Sequence, residues 1–198
     1  MKITKEIRNL FLFMTYGDGH ISKTGYLDIK HCEKQKEYIE WKSDLIKPFL
    51  SNAGIKVFDN SGFIGYQFRT KTFNFLKLYR KVIYTPKKHL SRKLLNKLTP
   101  LGIYIWYMDD GGMSRKKLIN GTYSSKEIML NTGLQKDENQ IIIDYFNEVW
   151  GVSFSQVKNN GVYRLRCGKI EGLKFLDIFK DFHNSVLCMK YKIDPNSY

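Results

Sequence analysis

The sequence predicts an α+β fold made from two copies of one unit. An apolar segment that ends in Asp-Gly occurs at 10–20 and again at 102–112. Each copy is followed by the same order of helical and strand-like patterns. Hydrophobic residues form 42% of the 198 residues, which is enough to build a core. The expected unit is α-β-(β)-α-β-β-α, with an optional extra strand.

In the first half, alternating apolar and polar residues predict a strand at 26–32. A charged helical pattern follows at 33–54 and ends on glycine, as helix C-termini often do. The turn sequence DNSG predicts a hairpin at 55–71. The helical period at 72–84 predicts a closing amphipathic helix.

The second half repeats this order, with KNNG as the turn sequence of its hairpin. The corresponding elements are a strand at 126–133, a helix at 136–151, a hairpin at 152–169 and a helix at 170–182.

The repeat divides the chain into an N-terminal half at 1–84, a linker at 85–97 and a C-terminal half at 98–198. The charged, proline-containing linker is expected at the surface. If the halves pack about a pseudo-twofold axis through the apolar helices, their antiparallel sheets form a pair. The two Asp-Gly segments then meet at the axis.

These Asp-Gly segments place negative charge where it is unfavourable. The apolar run at 101–108 is followed by Asp109 and Asp110, and Gly111 is the expected left-handed helix stop. The C-terminal end of a helix dipole favours cations, so both acids oppose it. Asp18 occupies the matching place in the first half. A divalent cation would relieve the repulsion, because carboxylates supply the hard oxygen ligands that such ions prefer.

The net charge indicates the kind of partner. Lysine and arginine total 33 against 19 acidic residues, which gives a formal charge of +14. Such a surplus favours nucleic acid, since neutralising phosphates releases counterions. An anionic membrane surface is a weaker alternative, because no basic amphipathic helix has a clean apolar face. No apolar run reaches membrane-spanning length.

The cysteines indicate a reducing compartment. Cys32, Cys167 and Cys188 are widely spaced and lack a CxxC pair, so they are expected to be unpaired thiols that fill the core. The apolar stretch at 10–14 is too short for the core of a signal peptide. An intracellular location without a secretion signal is therefore expected.

The two Asp-Gly segments resemble degenerate copies of the LAGLIDADG motif of homing endonucleases. The copies are FLFMTYGDG at 11–19 and IYIWYMDDG at 103–111. The second copy, with IMLNTG at 128–133 and KYKI at 190–193, is similar to single-chain mitochondrial intron-encoded members. The first copy departs from the motif because Phe13 stands where the consensus has glycine.

This resemblance implies that Asp18 and Asp110 are metal-binding catalytic acids, one for each DNA strand. It also implies that Gly17 and Asp109 belong to the surroundings of the metal, with Asp109 in a secondary role.

The resemblance further implies basic residues around the active centre. Lys192 in KYKI matches such a lysine. Its counterpart in PKKHL is Lys87 or Lys88, of which Lys88 is favoured.

The implied reaction is metal-dependent hydrolysis of both strands of double-stranded DNA at a long asymmetric site, leaving short 3′ overhangs. Mg²⁺ is the implied cofactor, with Mn²⁺ able to replace it. Because both motifs lie in one chain, a monomer is expected. The implied setting is a mitochondrion, a plastid, or bacterial or phage-infected cytoplasm, and intron RNA is a second partner to consider.

The predicted strands would carry the DNA-binding side chains. Side chains two apart in a strand share a face, which groups the polar residues of YQFRTK and of YRLRCGK. Arginine and glutamine can read base edges in the major groove. The residues expected to bind DNA are Lys30, Gln67, Arg69, Lys71, Arg115, Lys116, Asn131, Arg164 and Arg166.

Other functions stay open on the sequence alone. An RNA maturase or a non-cleaving DNA-binding regulator with the same fold would share the basic charge, although two intact acids favour a nuclease. A basic structural or ribosome-associated protein would leave the paired motifs unexplained. The segment GIYIW lacks the downstream YIG of GIY-YIG nucleases, and the four histidines lack the spacing of an HNH nuclease.

Overall fold

The chain forms two four-stranded sheets and a central pair of helices in a computed structural model, which describes residues 3–85, 87–114, 118–122, 126–159 and 161–194. The helices are α1 (Lys5–Tyr16), α2 (Lys36–Leu45), α3 (Asn74–Ile83), α4 (Arg92–Leu95), α5 (Pro100–Asp110), α6 (Lys136–Trp150) and α7 (Lys169–Asp177). The strands are β1 (His20–Ile21), β2 (Leu27–Cys32), β3 (Leu50–Asn60), β4 (Phe63–Thr70), β5 (Gly111–Ser114), β6 (Glu127–Leu130), β7 (Ser155–Asn159) and β8 (Val162–Cys167). Short 3₁₀ helices lie at Glu33–Gln35, Lys47–Phe49, Lys180–Phe182 and Leu187–Lys192.

The two sheets have the same strand order, which shows the duplication directly. The order is β1-β2-β4-β3 in the first sheet and β5-β6-β8-β7 in the second, and neighbouring strands are antiparallel. In each half the helices and strands follow as α-β-β-α-β-β-α. The predicted α+β class and its duplicated unit are confirmed, and the optional strand is present in both halves as β1 and β5.

The helix predicted at 33–54 is wrong in its second part. The helix covers only Lys36–Leu45, and Leu50–Asn60 forms a strand. Pro48, which has no N–H to donate, lies in the 3₁₀ turn that follows the helix. Gly54 is therefore not a helix cap. It has a φ of 58° and lies in β3 where the register with β4 shifts, which is typical of a bulge.

The central helices α1 and α5 approach each other closely. A threonine hydroxyl caps the N-terminus of each, Thr4 in α1 and Thr99 in α5. Phe13 of α1 is fully buried against Gly102 of α5. A Cβ at Gly102 would lie 3.1 Å from the Phe13 ring. Close approach of the two helices requires a small residue at this contact. Gly102 of α5 supplies it, opposite the bulky Phe13 of α1.

Gly111 does not end α5 in the left-handed conformation that the sequence predicts. Its φ of −91° and ψ of 169° are extended, and it begins β5 directly after the helix. Its N–H donates to the carbonyl of Tyr107, and a Cβ would overlap the Tyr107 ring. Close packing, and not a positive φ, is the reason for glycine at this position.

The segment predicted as a surface linker at 85–97 is partly buried, so that expectation is wrong. It contains helix α4, in which Leu94 and Leu95 belong to the hydrophobic core. Arg92 at the start of this helix forms a salt bridge of 2.6 Å with Glu148 of α6. The adjacent leucines form an apolar side of the segment. The sequence prediction missed this side because charged residues surround the leucines.

The cysteines are unpaired, as predicted, but they differ in burial. Cys167 is buried and Cys188 is half-buried, whereas Cys32 is exposed at the end of β2. The prediction of a core thiol is therefore wrong for Cys32, because the strand turns that side chain outward.

Within the described ranges, no helix has both the length and the apolar character needed to cross a membrane.

Candidate active site

Helices α1 and α5 end side by side and bring three acidic residues together. Asp18 follows α1 by two residues, and Asp109 and Asp110 close α5. The backbone N–H of Asp18 donates to Oδ2 of Asp109 at 3.0 Å. This approach requires Gly17, because a Cβ there would overlap the Asp109 carboxylate. The charge of Asp18 is close enough to Asp110 to contribute to the raised pKa of Asp110.

Asp109 is the buried member of this group. Its side chain is 0% exposed and forms a salt bridge of 2.5 Å with the equally buried Lys42 of α2. The Tyr38 hydroxyl donates to the same carboxylate oxygen, Oδ1, at 2.8 Å. Both oxygens of Asp109 therefore accept hydrogen bonds from the protein, as a buried charge requires.

His31 extends the buried network towards Asp18. Its Nε2 lies 3.1 Å from Lys42 Nζ, and its Nδ1 lies 3.0 Å from the Oε1 atom of Gln35. Burial, and next the charge of Lys42, lowers the pKa of His31 to about 4, so the ring is neutral at neutral pH. Because a lysine ammonium can only donate, Nε2 accepts and Nδ1 carries the proton. That Nδ1 lies 3.6 Å from Asp18 Oδ2, which is beyond hydrogen-bonding distance.

Asp110 is half-buried, and within the described ranges its carboxylate has no direct counter-charge. Among the residues that the structure describes, no side chain makes a salt bridge or hydrogen bond to its carboxylate. Burial, and next the charge of Asp109, raises the pKa of Asp110 to about 7. Burial also raises the pKa of Asp18, whose side chain is 39% exposed. Both shifts oppose negative charge in the absence of a bound cation.

Two lysines lie at the helix ends beside the acids. Lys192 Nζ donates to the carbonyls of Met108 and Asp109 at 2.5 and 3.1 Å, at the end of α5. Lys88 Nζ donates to the carbonyl of Tyr16 at 2.8 Å, at the end of α1. Met108 and Tyr16 each lie two residues before the acid of their half. The two lysines therefore occupy matching places in the repeat.

Lys88 is half-buried at the end of α1, whereas its neighbour Lys87 is exposed.

Burial lowers the pKa of both Lys88 and Lys192, whereas the nearby carboxylates raise it. A cation at a helix C-terminus interacts favourably with the helix dipole. The contacts of the two ammonium groups described above are to carbonyl oxygens, so they leave the carboxylates of Asp18 and Asp110 available to another ligand.

The first sheet turns the predicted polar residues away from the core. The register of β2 and β4 places Lys30 beside Gln67 and Asp28 beside Arg69. Gln67 donates to Asp28 Oδ1 at 2.6 Å, and Arg69 Nε lies 3.5 Å from Asp28 Oδ2. Lys71, one residue beyond β4, is exposed. The shared face is present as predicted, and its binding to DNA stays a prediction.

The second sheet places Arg164 and Arg166 on one face of β8, on either side of a buried leucine. Arg166 Nη1 lies 3.6 Å from Glu127 Oε1 of β6. Asn131, expected to read a base, lies beyond β6, and its side-chain nitrogen donates to the carbonyl of Asp110 at 3.0 Å. This bond uses one of the two N–H groups of the amide, so the other N–H and the side-chain oxygen can still face a base.

The expected phosphate-binding residues Arg115 and Lys116 lie outside the described residues. Their contact with DNA therefore stays a prediction from the sequence.

Three residues of the buried network, Lys42, Tyr38 and His31, were not predicted from the sequence. Two signals point to them. His31 lies two residues after the buried Ile29 in a strand, so its side chain faces inward. Lys42 lies four residues after Tyr38 and thus on the same face of α2. A charged residue on a buried face requires a buried partner.

The arrangement fits a divalent cation with oxygen ligands. Asp18 and Asp110 have raised pKa values, and their negative charge has no bonded lysine in the part of the chain that the structure describes. Candidate ligand atoms of Asp18, His31 and Asp109 lie within 4.8 Å of one another. Because Asp109 already accepts hydrogen bonds at both oxygens, the carboxylates of Asp18 and Asp110 are the donors most suited to a hard ion.

Paired acids at the ends of two packed helices, flanked by two sheets with basic outer faces, define a duplicated α+β protein with one central acidic site. The chain matches the LAGLIDADG DNA endonuclease family over residues 14–175, and it belongs to that family. The matched segment contains Asp18, Asp110 and both sheets.

The curated relatives include mycobacterial proteins named Protein RecA. The protein from Mycolicibacterium chitae is 35% identical over 105 residues, which is 50% of this chain and 24% of that protein. The protein from Mycobacterium leprae (strain TN) is 33% identical over 116 residues, which is 58% of this chain and 15% of that protein. This chain thus spans about a quarter or less of these relatives.

Solved structures show the same fold. The homing endonuclease I-WcaI bound to its DNA recognition sequence aligns with a TM-score of 0.78 and 23% identity, covering 98% of this chain and 88% of that chain. The N-terminal LAGLIDADG domain of DUF199/WhiA aligns with a TM-score of 0.52 and 9% identity, covering 88% and 81%. At these identities the likeness concerns the fold.

Proposed function

We propose that this chain is a site-specific endonuclease that hydrolyses one phosphodiester bond in each strand of double-stranded DNA and leaves short 3′ overhangs. The observation that carries this proposal is the pair of acids with raised pKa values, Asp18 and Asp110, at the ends of the central helices. A duplicated site supplies one acid for each strand. The formal charge of +14 attracts a polyanionic substrate.

Asp18 and Asp110 would hold Mg²⁺, which Mn²⁺ can replace. When bound, such an ion activates water and offsets the negative charge that develops on the reacting phosphate. The raised pKa values support this role, because an acid that is costly to ionise alone is stabilised by a cation. Gly17 leaves room for the neighbouring carboxylate of Asp109, which contacts the Asp18 backbone.

Lys88 and Lys192 would offset charge on the phosphate or polarise water. Each ammonium is fixed by carbonyl oxygens at a helix end, so little reorganisation is needed during the reaction. Burial lowers the pKa of both lysines. A lower pKa brings each ammonium group nearer to the working pH, where proton transfer to or from water is easier.

The outward faces of the two sheets would bind DNA on either side of the acids. Because the sheets differ in sequence, a site that contacts both is asymmetric, and a single chain with both halves acts as a monomer. The halves at 1–84 and 98–198 each supply one acid and one sheet, and the linker at 85–97 supplies Lys88. The DNA contacts in this proposal are Lys30, Gln67, Arg69, Lys71, Arg115, Lys116, Asn131, Arg164 and Arg166.

The proposed setting is intron homing inside the cell, in a mitochondrion, a plastid or bacterial cytoplasm.

A cleavage selection tests the proposal. A library of randomised and host-locus double-stranded DNA is incubated with the protein and Mg²⁺, and the ends of cut molecules are sequenced. Asp110→Asn is tested in parallel. Asp44→Asn serves as the matched control, because Asp44 is exposed at the end of α2.

The parent and Asp44→Asn are expected to give discrete double-strand cuts with 3′ overhangs, whereas Asp110→Asn binds DNA without making double-strand cuts. Cutting by Asp110→Asn at the parental rate would show that the acid is assigned wrongly. DNA binding by the parent without any cut would favour a maturase or a DNA-binding regulator, and folded intron RNA would then be the next substrate.

A further inference from the structure

The two acid centres of the repeat differ at the residue that precedes each acid. Gly17 and Asp109 occupy matching places, each directly before the acid of its half. One is a glycine without a side chain, and the other is a buried carboxylate that fills the space beside it. The duplicated site is therefore asymmetric at its centre.

The Asp109 carboxylate contacts the Asp18 centre through the backbone. Its Oδ2 accepts from the N–H of Asp18 at 3.0 Å, while its Oδ1 is held by Lys42 at 2.5 Å. The Tyr38 hydroxyl also donates to Oδ1, at 2.8 Å, and to the carbonyl of Ile105 at 3.2 Å. These contacts fix the carboxylate from two sides, so the position of the Asp18 backbone depends on the Lys42 ion pair.

A second path runs from Lys42 to the Asp18 side chain. Lys42 Nζ lies 3.1 Å from His31 Nε2, and the opposite nitrogen of His31 lies 3.6 Å from Asp18 Oδ2. His31 is nearly fully buried, so it limits where the Asp18 carboxylate can lie. Backbone and side chain of Asp18 thus both lie against groups that contact Lys42.

The Asp110 centre has a different support. In the described part of the chain, its backbone carbonyl accepts from the N–H and the side-chain amide of Asn131, both at 3.0 Å. The contacts of Lys42 Nζ are to Asp109, His31 and the ring of Tyr38, and they do not include Asp110.

We propose that Lys42, acting through Asp109, is a positioning residue chiefly for the Asp18 centre, so that the two strand cuts differ in their dependence on it. This inference rests on the proposed endonuclease function. Loss of Lys42 would displace the Asp18 carboxylate and slow the cut made at that centre. The cut made at the Asp110 centre would be retained.

The test uses a supercoiled plasmid that carries one selected target site, with separate detection of the two cut strands in Mg²⁺. The Asp18 strand is defined as the one that Asp18→Asn slows more. Lys42→Met is expected to slow that strand by about 10-fold to 100-fold relative to the other, because small displacements of a reacting group have effects of this size. Nicked plasmid should accumulate while DNA affinity is retained. Lys174→Met is the matched control, because Lys174 is exposed on α7.

Two further variants keep the test decisive if Lys42→Met fails to fold. The double variant Lys42→Met/Asp109→Asn removes both charges of the buried pair, which avoids an unpaired buried acid. Tyr38→Phe removes only one hydroxyl from Asp109. Each should slow the same strand, Tyr38→Phe the least.

The inference would be overturned by equal slowing of both strands, by greater slowing of the Asp110 strand, or by no slowing. The Lys42–Asp109 ion pair would then have only a structural role. Failure of the parent to cut any DNA would instead reject the proposed function.

Discussion

At the scale of single residues, the acids of the site are expected to lower the stability of the metal-free fold. The pKa of Asp110 rises from 3.8 to about 7 because of burial and the nearby charge of Asp109. Between these values the folded state binds a proton that the unfolded state has released. The free energy of unfolding therefore falls as the pH rises from about 4 to about 7, by at most about 4 kcal/mol in total.

Asp110→Asn should consequently raise the free energy of unfolding at pH about 8, and the gain should shrink as the pH falls towards 4. Urea unfolding in the presence of EDTA measures both values. Added Mg²⁺ should stabilise the parent more than the variant, because only the parent retains both carboxylate ligands. A variant that is no more stable than the parent at pH about 8 would contradict the cost assigned to this acid.

The residues of the site differ in how far the sequence could predict them. Asp18 and Asp110 were predicted to meet because the repeat places them at matching positions. The contact of Lys42 with Asp109 joins residues 67 apart in the chain. It has no counterpart in the other half, where Gly17 stands at the matching place. Periodicity can show that Lys42 and His31 face inward, but tertiary packing selects their partners.

At the scale of elements, the seam between α1 and α5 depends on complementary size. Phe13 occupies space left by Gly102, where a Cβ would lie 3.1 Å from its ring. Gly102→Val should destabilise the fold by about 1–3 kcal/mol through overpacking. Thermal unfolding of Gly102→Val, Phe13→Ala and the double variant measures the coupling between the two sites.

The double variant should be more stable than the sum of the two single effects predicts, by about 0.5–3 kcal/mol, because the new methyl groups enter space vacated by Phe13. Additive effects would mean that the two side chains do not compete for the same space. Gly112→Ala is a suitable control, because a Cβ there has no neighbour within 4 Å.

The elements also show where sequence patterns are informative. The helices α1 and α5 were predicted because each is an apolar run that ends in Asp-Gly, and the hairpins were predicted because their turn residues are strong. Strand β3 was missed in its first part, since LSNAG contains residues that are common in turns and helix ends. Its extended conformation follows from pairing with β4, a contact that local propensity does not describe.

At the scale of the whole molecule, the positive charge predicts strongly salt-dependent DNA binding. If about 6–10 phosphates are contacted, raising salt from about 50 to 200 mM should weaken binding by about 10³-fold or more. Arg164→Gln on the second sheet should reduce the slope of log affinity against log salt by about one if it contacts a phosphate. Fluorescence anisotropy with the selected DNA site measures this slope.

Lys174→Gln provides the comparison for Arg164→Gln. Helix α7 packs through Gly172 against Ile128 on the inner side of the second sheet, so Lys174 lies away from the outer face. Equal slopes for the two variants would show that the outer face of this sheet does not bind the DNA backbone.

The most direct measurement of the central claim is the single-turnover cleavage rate of preformed protein–DNA complexes after addition of Mg²⁺. This rate separates the chemical step from binding. Asp18→Asn and Asp110→Asn should each lower the rate of double-strand cleavage by about 100-fold or more while the affinity for the site changes little. Parental rates in both variants, measured on fully bound DNA, would contradict the assignment of the paired acids as the cleavage centre.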